Sequence, residues 1–70
     1  MADTPATLKK RSVSIAGHAT SVSMENIFWQ RLTEIANTRG VSVSAIIREI
    51  DAERSGNLSS ALRVFLLENS

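Results

Sequence analysis

The feature that most constrains this chain is a change of period at residue 25. Residues Thr20-Ser21-Val22-Ser23-Met24 alternate small polar and apolar side chains. In an extended chain Val22 and Met24 then share one side with Thr20, while Ala19, Ser21 and Ser23 take the other. From Glu25 onward the apolar residues recur at helical spacing instead. A single strand that leads straight into helices has no sheet of its own, and it needs a partner strand to satisfy its backbone. The pattern implies a mainly α chain with one short β-strand, paired with its copy in a second subunit.

Chain length supports an association of that kind. Seventy residues form one domain at most, and so short a chain buries a modest core unless a metal, disulfides or a second subunit assist. The absence of Cys and the presence of one His exclude a disulfide framework and a zinc cluster, and no cofactor is expected. Oligomerisation is the remaining route. Hydrophobic residues make up 43%, normal for a chain meant to bury them. The N-terminus carries no signal-peptide pattern and no segment approaches the roughly 20 apolar residues that would span a bilayer, so a cytoplasmic protein without membrane association is expected. Charge is uneven: Lys9, Lys10 and Arg11 face only Asp3 in the first 24 residues, whereas five Arg meet six acids in the remainder. A basic N-terminal arm suits an anionic partner, although a solvated tail would have the same composition.

Along the chain, residues 1–8 contain a Pro, small polar residues and no periodicity, as in a mobile leader. Residues 9–70 form a single domain, with an arm and strand over 9–24. Ser12-Val13-Ser14-Ile15 alternates like the later run, and Gly17 between them is a natural turn residue, so a hairpin is one possibility. The other is an extended arm, favoured because the linking segment is longer than the best two-residue turns. Helix A is expected over 25–38, with Ser23 as N-cap, Phe28, Leu32, Ile35 and Ala36 on one face, Ile27 and Trp29 beside them, and Gly40 ending it. Ser42 caps helix B, 43–54, whose Val43, Ile46, Ile47 and Ile50 fall at i, i+3, i+4 and i+7. Asn57 caps helix C, 58–68, which carries Leu58, Ala61, Leu62, Phe65 and Leu66, widened by Val64 and Leu67.

An alternating strand, a helix, a turn Arg39-Gly40-Val41-Ser42 and an Ile-rich helix opening Ser42-Val43-Ser44 together resemble the ribbon-helix-helix proteins of the MetJ/Arc superfamily. The matching residues run from Thr20 to Ile50. The flanks, Lys10 to His18 and Gly56 to Phe65, are similar to a short bacterial subfamily with a third helix appended. The resemblance implies an intertwined homodimer with a two-stranded antiparallel intersubunit ribbon that enters the major groove of double-stranded DNA, with higher oligomers on DNA a further option. It places Ala19, Ser21 and Ser23 toward the bases and Ser42, Val43 and Ser44 on backbone phosphate. The dimer core would comprise Val22, Met24, Phe28, Trp29, Leu32, Ile35, Ile46, Ile47 and Ile50.

Both site assignments agree with elementary chemistry. Free amides at a helix N-terminus bind phosphate, and a Ser hydroxyl adds a donor, although Ser42 would also serve as a plain N-cap. Arg48, one turn further, could reach phosphate or pair with Asp51 or Glu25. Ala19, Ser21 and Ser23 depart from the long donors that many relatives carry there, which directs attention to Lys9, Lys10 and Arg11 as DNA contacts. Trp29 fits a core anchor better than a base-stacking platform, and His18 fits a turn better than a metal site.

The function implied is sequence-specific DNA binding by a transcriptional regulator. An antitoxin of a toxin–antitoxin pair would share the fold, but such proteins usually carry a toxin-wrapping tail, and here an amphipathic helix runs to the last residue. A third option is a protein-interaction module docking through residues 58–67. No catalytic constellation is present, so an enzyme is not expected.

Overall fold

The computed structural model describes residues 4–15, 17–53 and 56–69. Its elements in order are β1 (Leu8–Ile15), β2 (His18–Glu25), α1 (Asn26–Arg39), α2 (Val43–Glu53) and α3 (Leu58–Glu68). A two-stranded antiparallel ribbon forms within the chain: β1 pairs β2 in a register running from Leu8↔Glu25 to Ile15↔His18. One short strand is thus corrected to two of eight residues each, and the expected arm is a paired strand. The physical reason lies in the phase of the two runs. Folding about Gly17, whose φ of 83° is left-handed, sets Ser12 opposite Ser21 and Val13 opposite Thr20, so like side chains share a face. His18, expected in the turn, opens β2, and Ala16 lies outside the described residues.

Register and burial separate the ribbon's faces. Arg11, Val13 and Ile15 of β1 lie across from Val22, Thr20 and His18, and this side covers the helices. Val22 and Met24 are buried beneath it. The other side is formed by the pairs Leu8↔Glu25, Lys10↔Ser23, Ser12↔Ser21 and Ser14↔Ala19.

The start of α1 differs from expectation in its cap. Ser23 lies within β2, and Glu25 holds the N-cap position with extended backbone and no side-chain cap bond. The first amides are satisfied by the chain that precedes the ribbon: Asn26 N–H donates to the Thr7 carbonyl and Ile27 N–H to that of Pro5, each at 2.9 Å. Asn26 Nδ2 also donates to the Thr4 carbonyl. Residues 4–7, placed by sequence in a mobile leader, thus act as the missing cap. At the other end Gly40 adopts φ 69°, ψ 30° and closes the helix, as a left-handed C-terminal glycine does.

Ser42 Oγ accepts from Ala45 N–H at 3.1 Å, and Asn57 Oδ1 accepts from Ser60 N–H at 3.1 Å. Both expected caps are made. α2 ends at Glu53, and Arg54 lies outside the described residues. Within the chain, Val22, Met24, Leu32, Ile35, Ile46 and Ile47 are buried together with Ile15, Ala36, Leu62 and Leu66, while Phe28, Trp29 and Ile50 pack against them half-buried and Leu8, Ile27, Val41, Val64 and Leu67 stay exposed. Leu62 and Leu66 make α3 part of that core. No helix among the described residues is long and apolar enough to cross a membrane.

Candidate nucleic-acid interface

The solvent face of the ribbon is a strip of small hydroxyls with one long cation at its end. Ser12, Ser14, Ala19 and Ser21 are exposed and Ser23 is half-buried, with exposed Lys10 directly across from Ser23. Two strands about 5 Å apart form a ribbon that a major groove about 12 Å wide admits. The hydroxyls allow close approach, and Lys10 supplies the reach they lack.

Beside this strip lies a polar depression of about 140 Å³ lined by Ser14, Ser42, Ser44, Ala45 and Arg48. It joins the ribbon's outer face, through Ser14, to the first turn of α2. Amide groups at that turn carry the positive end of the helix dipole. Ser42 and Arg48 are exposed, and Val43 and Ser44 are half-buried. Ser14 was not among the residues singled out from sequence. Its alternation with Val13 and Ile15 marked it as outward, but only the hairpin register brings it to the helix.

The three basic residues do not act as a unit. Lys10 belongs to the outer face. Lys9 falls opposite Met24, in phase with the inner set, though exposed near the ribbon's end. Arg11 lies across from Val22, half-buried on the inner side. Its Nη2 donates to Asn26 Oδ1 at 3.0 Å, and its guanidinium carbon sits 4.7 Å from the centroid of the Trp29 ring. Its Nε is buried without a hydrogen-bond partner among the described residues. A guanidinium stacked on an aromatic face while donating in plane ties the ribbon to α1.

Glu25, one of the partners considered for Arg48, is bonded to α3 instead. Arg63 donates to its Oε1 from Nε at 3.0 Å and from Nη2 at 2.8 Å. A hydrogen bond at its own backbone, then the Arg63 bond, hold its carboxyl below the ordinary value of 4.5. Among the described residues no group of three or more His, Cys, Asp or Glu is placed to hold a metal ion.

The sequence profile described as "Ribbon-helix-helix domain" matches residues 8–70. The chain belongs to the ribbon-helix-helix family. Among solved structures, this ribbon-helix-helix domain is similar to an uncharacterized protein from Bordetella pertussis Tohama I, with a TM-score of 0.77 and 32% identity. The match covers 93% of this chain and 57% of that one, so the ribbon-helix-helix chain spans little more than half of that protein's length. Comparison with curated protein sequences gives no match.

Proposed function

We propose that the protein is a sequence-specific DNA-binding protein that acts as a transcriptional regulator. The outer ribbon face enters the major groove, and the first turn of α2 rests on a flanking phosphate. The observation that carries this reading is the polar depression uniting Ser14 with Ser42, Ser44 and Arg48. Base-facing and phosphate-facing groups are contiguous there, as a protein straddling a groove edge requires. Ser42 and Ser44 contribute hydroxyls and the amides of residues 42–44 contribute N–H donors. Arg48 contributes charge. Ser21, Ser23 and Ala19 approach the base edges, and Lys10 reaches a base or the adjacent backbone.

Ribbon-helix-helix proteins generally bind DNA as dimers, and a homodimer is proposed here too. β2 is paired with β1 along one edge only, and its other edge is open to the β2 of a second subunit, which gives the intersubunit ribbon of an intertwined dimer. Lys9 adds attraction to the backbone, while Arg11 acts indirectly by holding the ribbon in place.

Binding of labelled genomic fragments across a salt series tests the proposal. Specific complexes should survive competitor DNA, and Lys10→Ala together with Ser42→Ala should weaken them. Absence of affinity even at low salt would overturn the reading.

A further inference from the structure

β2 passes into α1 with no linking residue: Glu25 ends the strand and Asn26 begins the helix. The tilt of the ribbon on the helices therefore turns on the backbone at Glu25, and whatever braces that joint decides how the ribbon's outer face is presented. At its turn end the ribbon is fixed by Ile15, buried in the core. At its open end the fastening is polar and centres on Asn26. The Asn26 side chain accepts from Arg11 Nη2 at 3.0 Å and donates to the Thr4 carbonyl at 2.9 Å. An amide meets both demands, whereas a carboxylate would set an oxygen against the Thr4 carbonyl.

Residues 4–7 are shaped to receive it. Thr7 N–H donates to the Thr4 carbonyl at 3.0 Å and Thr4 N–H to Thr7 Oγ1 at 2.9 Å. That is a closed β-turn with Pro5 at its second position, where proline is favoured. The turn directs the carbonyls of Pro5 and Thr7 at the first amides of α1, and it precedes the residues 8–70 that match the family.

On the DNA-binding reading already given, we infer that Asn26 and the turn at residues 4–7 are positioning elements: a brace that holds the ribbon at the tilt at which its outer face and the first turn of α2 engage one duplex together. Arg11, through which Asn26 grips β1, lies on the inner side of the ribbon, so the brace acts by preorganisation. A ribbon free to tilt is competent for only a fraction of the time, and its apparent affinity falls by that fraction.

The test compares the native chain, Asn26→Ala and a chain lacking residues 1–7, under conditions where urea titration shows all three fully folded. Affinity is measured for a duplex that the native chain selects from a random pool and for an unrelated duplex. The removed residues carry Asp3 and no Lys or Arg, so charge alone would raise DNA affinity. The brace predicts the opposite: both variants lose about fivefold in affinity for the selected duplex, while the salt dependence grows no shallower and binding to the unrelated duplex is undiminished. In the shortened chain the amides of Asn26 and Ile27 should also exchange with solvent faster, a readout independent of DNA. Variants that bind the selected duplex as tightly as the native chain, or that lose affinity for both duplexes alike, would overturn the brace. A native chain with no affinity for any duplex would instead overturn the DNA-binding reading itself.

Discussion

At the residue scale, neighbouring cations do different jobs because a strand sends them to opposite sides. Lys10 is exposed on the outer face and Arg11 is held inside by Asn26 and Trp29. Lys10→Ala should leave thermal stability unchanged and lower DNA affinity, with the slope of log affinity against log salt reduced by about one. Arg11→Ala should lower stability and leave that salt slope unchanged, since its guanidinium is engaged by Asn26 and Trp29. Losing a cation–aromatic contact and a charged hydrogen bond should cost about 1–3 kcal/mol of stability. Urea unfolding followed by Trp29 fluorescence measures it, and the folded-state emission should shift as well, because the guanidinium leaves the ring. If Arg11→Ala instead matched Lys10→Ala in both assays, the inward placement of Arg11 would be wrong for the protein in solution. Composition alone marked a basic run without distinguishing its members. The register was the missing information, since whether residues 9–15 pair in the chain decides which side chain points where.

At the scale of elements, the helices were legible because their signals are local. Gly40, Ser42 and Asn57 are each caps whose geometry depends on residues three or four positions away. Gly40→Ala should cost about 1–2 kcal/mol, since a Cβ at φ 69° is strained even though nothing crowds it. Asn57→Ala should cost about 1 kcal/mol, both read from thermal or urea unfolding. The cap of α1 was not legible, because the groups that satisfy Asn26 and Ile27 come from Thr7 and Pro5 across the hairpin. The joint between β2 and α3 was equally hidden, because Glu25 and Arg63 are 38 positions apart. That joint has a pH signature. The Glu25 carboxyl is lowered from its ordinary 4.5 in the folded protein, so its contribution is complete above that value and is lost as pH falls through the depressed folded value. Glu25→Gln should therefore flatten the acid limb of stability below about pH 5 while leaving the neutral range nearly unchanged, as solvent exposure keeps the effect small. An acid limb identical in native and variant proteins would remove Glu25 from the account.

For the whole molecule, the decisive matter is how many chains the core needs. A short chain with a lone strand pointed to a core shared between intertwined subunits. Here β1 gives β2 a neighbour on one edge and α3 supplies Leu62 and Leu66, both buried, while Leu8, Ile27, Val41, Val64 and Leu67 stay exposed on the single chain, apolar surface that a second subunit would cover. The Cα radius of gyration, 11.8 Å, is close to the roughly 11 Å of a compact single domain of this length. An intertwined dimer is linked to protein concentration by mass action, whereas a core complete in one chain unfolds independently of it. Raising concentration a hundredfold would stabilise an obligate dimer by about 2.7 kcal/mol. The proposed homodimer, intertwined through β2, predicts a urea midpoint that climbs over that range, with sedimentation detecting dimers; a midpoint that does not move would assign the core to the single chain. Leu62→Ala should destabilise by about 2–5 kcal/mol at any concentration, and deleting residues 56–70 should leave a chain that does not fold. A truncated chain that still folds and binds DNA would make α3 an accessory to the shared core.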